Sequence, residues 1–180
     1  MPNPSAAVVH QPRVAHFDGA AVLADSGRWA RAYERVHAAD LGLIDHGDPP
    51  ITERLPRHAT RPGFGLAGAL GGAGEVAGFL YGYALPEDSL WWEGLTPDPG
   101  PKFTREHPGR TVGICEILVA AEWRRSRIAH TLFGAFVAGR AEERAAGLVA
   151  ADNAPMLAGT RSTASKPSGG WSRIPAGGPM

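Results

Sequence analysis

One carboxylate interrupts the most apolar run of the chain. Residues 112–119 read VGICEILV, and Glu116 is the single charge among them. Loss of solvation raises the pKa of a carboxyl group in such a strand, toward the range where it can accept a proton near neutral pH. A buried arginine paired with Glu116 would account for the same residue without catalysis, so the spacing alone leaves both roles open. The run gives way to AAEWRRSRIAH, and Arg124, Arg125, Ser126, Arg127, Ile128, Ala129 and His130 occupy the junction between a strand and a helix. Free amides and the dipole at a helix start favour an anion, whereas arginines there oppose the dipole; a bound anion would reconcile the two. Alternation places Ile114, Glu116 and Leu118 on one face of the strand and Cys115 on the other, where a packed core thiol is expected and no nucleophile. Trp91, Trp92 and Phe103 fall in a long segment, residues 86–109, with five prolines. Such a segment could form a lid over an acceptor, or a satellite hydrophobic cluster under a long loop.

These groups need a scaffold, and the hydrophobic pattern supplies one. A short first strand is expected at residues 14–17. Trp29, Tyr33 and Val36 recur at helical spacing from Ser26, with a stop near Gly42, and residues 51–58 read as a second short helix closed by Pro62. Residues 64–70 and 76–85 alternate around a GGAG turn and predict a β-hairpin. Gly74, Gly78 and Gly82 also stand at the GxxxG spacing of membrane helices, but Glu75 would sit mid-span at about 2.5–3.5 kcal/mol, so the hairpin is preferred. The run 112–119 reads as a central strand buried on both faces. Ala129, Leu132, Phe133, Phe136, Val137 and Arg140 then keep helical spacing, a strand follows at residues 147–150, and AADNAPM reads as a polar loop. From Ala158 the sequence is rich in Ser, Gly and Pro and holds little that could be buried.

Composition narrows the function. The chain has 180 residues, 18 Lys+Arg against 18 Asp+Glu, one Cys and 7 His. The length suits one domain. Balanced charge without a basic run excludes a dedicated nucleic-acid or polybasic membrane binder. One cysteine and unpaired histidines argue against a disulfide framework and a structural metal. The N-terminus shows no secretion-signal pattern, so the cytoplasm is expected.

The order of elements and the loop itself resemble the GCN5-related N-acetyltransferase (GNAT) family, whose pyrophosphate loop reads Arg/Gln-x-x-Gly-x-Gly/Ala. Arg124 and Ala129 match its first and last positions, and Arg127 stands where the family has glycine. CEILVAAEW is similar to the family's fourth strand and its exit, ADNAP to the Asn-containing loop after its fifth strand, and WWEGL and FTRE to segments of an actinobacterial-type subgroup. The resemblance runs from about Trp29 to Pro155. It implies an α/β (α+β) fold, a single GNAT-like domain with a mixed, mainly antiparallel central sheet flanked by helices. Residues 1–24 would be an N-terminal segment, 25–157 the acetyl-CoA-binding domain and 158–180 an atypical, loosely ordered tail. It implies an enzyme that uses acetyl-CoA as cosubstrate and no metal, transferring an acetyl group to a primary amine of a small molecule or protein by direct attack on the thioester. Neither nucleic acid nor membrane is an expected partner, and a homodimer is compatible with the family. Glu116 would be the base, directly or through water. Ile117, Leu118 and Val119 would hold the pantetheine arm, Arg124, Arg125, Ser126, Arg127, Ile128, Ala129 and His130 the pyrophosphate, and Asn153 would join the cofactor set. The family usually has a tyrosine seven residues after that Asn, to protonate the departing thiolate. Here the position is Thr160 and every tyrosine lies at or before Tyr83. That departure implies impaired activity, and a non-catalytic acyl-CoA sensor or a partner-binding remnant is the alternative.

Overall fold

A computed structural model describes residues 11–39, 49–93 and 98–147. Five strands lie in the order β1-β2-β3-β4-β5: β1 (Arg13–Phe17), β2 (Gly65–Leu70), β3 (Val76–Ala84), β4 (Thr111–Val119) and β5 (Arg144–Gly147). All neighbours pair antiparallel except β4 and β5, which are parallel. This is the mixed, mainly antiparallel sheet expected from the sequence. The helices are α1 (Gly19–Ala24), α2 (Ser26–Val36), α3 (Ile51–Ala59), the single turn α4 (Pro101–Thr104) and α5 (Ile128–Val137).

Each face of the sheet is covered by what its alternation exposes. On one side Leu66, Phe79, Tyr81 and Leu118 meet Trp29 and Tyr33 of α2 and Leu55 of α3. On the other, Ala67, Ala69, Leu80 and Val112 meet Ile128, Leu132 and Phe136 of α5. Gly68 of β2 is small because Trp29 of α2 lies close above it; a Cβ there would fall 2.6 Å from the Trp29 ring. Helix α3 contains Pro56, which costs about 3 kcal/mol in a helix interior. Burial of Ile51 and Leu55, at about 1.5–3 kcal/mol each, offsets that cost.

The glycines of β3 serve sheet packing. A Cβ on Gly78 would lie 2.6 Å from the Leu118 carbonyl oxygen, and one on Gly82 would collide with the Gly113 carbonyl. Glu75 lies in the hairpin turn, where its carboxylate accepts a hydrogen bond from the Ala73 amide at 3.1 Å. No helix among the described residues is long and apolar enough to cross a membrane.

Five elements depart from the sequence reading. Tyr81 pairs with Glu116 but Gly82 pairs with Ile114, so Cys115 is an extra residue, a β-bulge in β4. The bulge resets the alternation: Ile114 packs on the α5 side and Cys115 on the α2–α3 side with Leu118. The expected grouping of Ile114 with Glu116, and of Cys115 opposite, is therefore wrong. The last strand begins at Arg144, three residues before the expected Gly147; residues from 148 onward, including Asn153, Thr160 and the tail, lie outside the described residues. Helix α2 ends at Val36 and α5 at Val137, short of the expected Gly42 and Arg140. Helix α1 was not anticipated, because GAAVLA is too short to show a period; Asp18 caps it by accepting from the Ala21 amide at 2.8 Å.

The early start of β5 has a chemical reason. Arg144 is buried because Glu106 pairs with it at 2.9 Å, Thr111 Oγ1 accepts from its Nε at 2.7 Å, and its guanidinium lies 4.7 Å from the ring centroids of both Trp92 and Phe103. Trp92 Nε1 donates to the same Glu106 oxygen at 2.7 Å. With Leu85, Trp91 and Ala146 these side chains form a satellite cluster, which is the second of the two roles open to the segment 86–109.

Candidate active site

The bulge turns Glu116 toward α3. There Arg54 Nη2 lies 3.9 Å from Glu116 Oε2, and both side chains are largely screened from solvent, at 17% and 16% exposure. Arg54 is itself held by α2: it donates to the Tyr33 hydroxyl at 3.0 Å, and its guanidinium lies 5.3 Å from the centre of that ring. One turn further along α3, His58 Nδ1 is 3.3 Å from the hydroxyl of Tyr81, the cross-strand partner of Glu116. The His58 ring is also 5.1 Å from that of Tyr83, over which Arg61 stands at 6.0 Å.

Opposing effects set the protonation of this cluster. Burial drives the Glu116 carboxyl up to about 7, while Arg54 and the Ile117 backbone N–H act to lower it. Burial pushes the Cys115 thiol up to about 12, and the charge of Glu116 adds to the effect, so the thiol is inert as expected. Burial lowers His58 to about 4, reinforced by Arg57, Arg54 and Arg61, so the imidazole is neutral at pH 7. Burial raises Tyr81 and Tyr83 above the ordinary phenol value. The group that can exchange a proton near neutrality is Glu116.

Beyond β4, a 3-10 turn at Ala121–Trp123 leads into the arginine loop. Ser126 Oγ donates to the Trp123 carbonyl, and Arg125 and Arg127 both hold left-handed backbone, at φ 69° and φ 64°. Arg127 is the N-cap of α5 with ψ 6°, and no side chain caps the helix. Thr131 N reaches back to the Arg127 carbonyl at 3.0 Å, whereas the first amides of a helix have no partner within it. The result is a concave run of backbone donors at the end of an α-helix, the arrangement that receives anions. Strain at Arg127 is legible from sequence, since the family loop has glycine there.

The expected residues thus fall into two groups on either side of one strand end. Ile117, Val119 and the buried Ile128 pack together on the α5 side, and Leu118 packs opposite. Arg124, Arg125, Arg127, Ala129 and His130 are exposed, and Ser126 is half-buried. Sequence reasoning missed Tyr33, Arg54, His58, Tyr81 and Tyr83. The signal was present for α3, where Arg54, Arg57, His58 and Arg61 recur at helical spacing. Among the described residues no group of three or more His, Cys, Asp or Glu could hold a metal ion.

No protein-family model and no curated protein matches the chain. Solved structures do. The AAC(6')-Iy enzyme in complex with the bisubstrate analogue CoA-S-monomethyl-acetylneamine is similar with a TM-score of 0.59 at 12% identity, over 88% of this chain and 92% of that one. An aminoglycoside acetyltransferase from an uncultured soil metagenomic sample, in complex with sisomicin, has a TM-score of 0.57 at 18% identity, over 88% and 90%. A ribosomal-protein-alanine N-acetyltransferase from Brucella melitensis has a TM-score of 0.54 at 15% identity, over 91% and 99%. The likeness establishes a GNAT-like fold.

Proposed function

We propose that this chain is a GNAT-family N-acetyltransferase of the cytoplasm that transfers an acetyl group from acetyl-CoA to a primary amine. The observation that carries the reading is the bulged β4. It presents a carboxylate with a pKa of about 7 and leads directly into a left-handed turn whose amides open α5. Three of the similar solved structures, all of the AAC(6')-Iy enzyme, contain CoA or a CoA conjugate, which agrees with it.

The residues fit the cosubstrate. A diphosphate needs several N–H donors and positive charge, and the turn offers the amides of Arg125 and of Arg127 to His130, the Ser126 amide being bonded to the Trp123 carbonyl, flanked by the side chains of Arg124, Arg125 and Arg127. The backbone of Ile117 to Val119 would hold the pantetheine arm. When bound, acetyl-CoA supplies the acetyl group as an activated thioester. Glu116 takes the proton of the attacking amine, and near pH 7 about half of its carboxyl is ionised and ready to do so. Arg54 holds that carboxylate in place and prevents burial from raising its pKa further. The same guanidinium lowers the proton affinity of any ammonium nearby, as it does for His58, and so favours the free-base amine.

The test has two arms. At 100 times its Kd, acetyl-CoA stabilises a binding protein by about 2.7 kcal/mol, or a rise in Tm of roughly 5–10 °C at this size. The rise should shrink at high salt, because the ligand is multiply charged. Thiol release with a panel of primary amines then reports turnover. No thermal shift at millimolar acetyl-CoA would refute cosubstrate binding, and a shift without thiol release for any amine would refute the enzyme.

A further inference from the structure

Helix α3 carries a stripe of cations along the acceptor side of Glu116. Arg54, Arg57 and Arg61 recur at three- and four-residue intervals with His58 between them, and the helix ends at Ala59 so that Arg61 lies just past its cap. Arg61 stands over Tyr83, His58 lies against both Tyr81 and Tyr83, and Arg54 faces Glu116. Arg57 follows Arg54 by three residues and precedes Arg61 by four, which puts it on the same side of the helix. Among the described residues, the ion pairs are Arg54 with Glu116, His107 with Glu143, Arg140 with Glu142 and Arg144 with Glu106. Arg57 and Arg61 are in none of them, and both are exposed. In a chain whose formal net charge is zero, this is a local concentration of positive charge next to the proposed base.

We infer that the acceptor is a small primary amine that also bears an anionic group, a carboxylate or a phosphate, which Arg57 and Arg61 receive while the amine reaches Glu116. The inference rests on the N-acetyltransferase reading above. Two guanidinium groups without a carboxylate partner among the described residues, at the edge of an aromatic wall, can bind an oxyanion through paired N–H donors. A polycationic amine would meet the same charges as repulsion, so the stripe discriminates in both directions. The neutral imidazole of His58 and the half-buried Tyr83 border the stripe without a negative charge that would repel the ligand, and the buried Tyr81 hydroxyl holds the imidazole.

Matched acceptor pairs test this: 4-aminobutyrate against n-butylamine for a carboxylate, phosphoethanolamine against ethanolamine for a phosphate, with spermidine as the polycation. Thiol release with acetyl-CoA is measured for the full chain and for Arg57→Gln/Arg61→Gln. The full chain should prefer the anionic member of at least one pair by about tenfold in kcat/KM, since two partly screened charge pairs contribute. The pair that shows the preference identifies the anion. The double variant should lose the preference through KM and retain its thermal shift with acetyl-CoA. Equal efficiency within both pairs, or faster reaction with spermidine, would overturn the substrate class and leave the acetyltransferase reading standing. Absence of both thermal shift and thiol release would overturn that reading, and this inference with it.

Discussion

The left-handed turn at Arg127 makes a separable prediction about the backbone. At φ 64° and ψ 6° a residue with a Cβ costs about 1–2 kcal/mol relative to glycine. Glycine returns part of that, about 0.4–1 kcal/mol, because it has more freedom in the unfolded chain. Two variants isolate the backbone effect. Arg127→Ala removes the guanidinium and keeps the strain, whereas Arg127→Gly removes both. The glycine variant should therefore be more stable than the alanine variant by a net amount of about 0.5–1 kcal/mol, or roughly 1–4 °C in Tm for a chain of this size. Calorimetric melting in one buffer measures it. An alanine variant as stable as the glycine variant would refute the strain argument. Titration with acetyl-CoA supplies the functional counterpart. The unliganded turn already holds this backbone, so the strain is common to free and bound protein and Arg127→Gly should bind acetyl-CoA about as tightly as the parent. Clearly weaker binding would make the guanidinium a phosphate ligand.

Glu116→Gln should cut turnover at saturating substrates by at least about a hundredfold while leaving acetyl-CoA affinity nearly unchanged, as expected for loss of a general base. It should also alter stability with pH. The folded carboxyl titrates at about 7 against 4.5 for an ordinary one, so the native state binds more protons between those values and loses stability as pH rises through them. At pH 8 the glutamine variant should be the more stable by about 1–2 kcal/mol, discounted for partial exposure and for the counter-charge that Arg54 loses; at pH 4.5 the difference should vanish. Urea titrations at the two pH values check the sign, and a greater gain at low pH would refute it. Arg144→Leu leaves Glu106 buried without its partner and should destabilise the fold by about 3–5 kcal/mol, whereas Arg144→Leu/Glu106→Leu should recover most of the loss. A double variant no better than the single one would mean that packing, and not the unpaired charge, sets the cost.

Much of the scaffold was legible because its strands alternate. GLAGAL and VAGFLYGYA show their two faces directly, and the structure pairs them as a hairpin. The sheet position of VGICEILV was legible too, but its bulge was not: a run apolar on both sides gives no alternation against which an extra residue could be noticed. That is why Ile114 and Cys115 were assigned to the wrong faces while Glu116 was still picked out by charge. Arg144 hid the start of β5 for the opposite reason. A charged residue reads as loop, and only the three-dimensional convergence of Glu106, Thr111, Trp92 and Phe103 makes its burial affordable. The site suffered similarly. Glu116 and the arginine loop stand out within one continuous stretch, whereas Tyr33, Arg54 and Tyr81 come from three elements that pattern alone does not bring together.

The bulge and α3 between them decide which side chain can react. By inserting Cys115, β4 turns two successive residues toward the helices, a thiol and a carboxyl, and burial acts on both. It pushes the thiol to about 12, beyond any use near neutral pH. It would push the carboxyl in the same direction, but Arg54 stands 3.9 Å away and the balance settles at about 7. Arg54 acts to lower both groups, and the carboxyl, which starts from the lower ordinary pKa, is the one left near neutrality. Arg54 can do this because Tyr33 accepts its hydrogen bond and lies beneath its plane, fixing a long side chain that would otherwise sample solvent. Further along and just past the same helix, Arg57 and Arg61 extend positive potential away from Glu116. A single nine-residue helix, tolerated despite Pro56 because Ile51, Leu55 and Ala59 anchor it, thus lowers the proton affinity of Glu116 and carries part of the positive charge on which the proposed choice of acceptor rests.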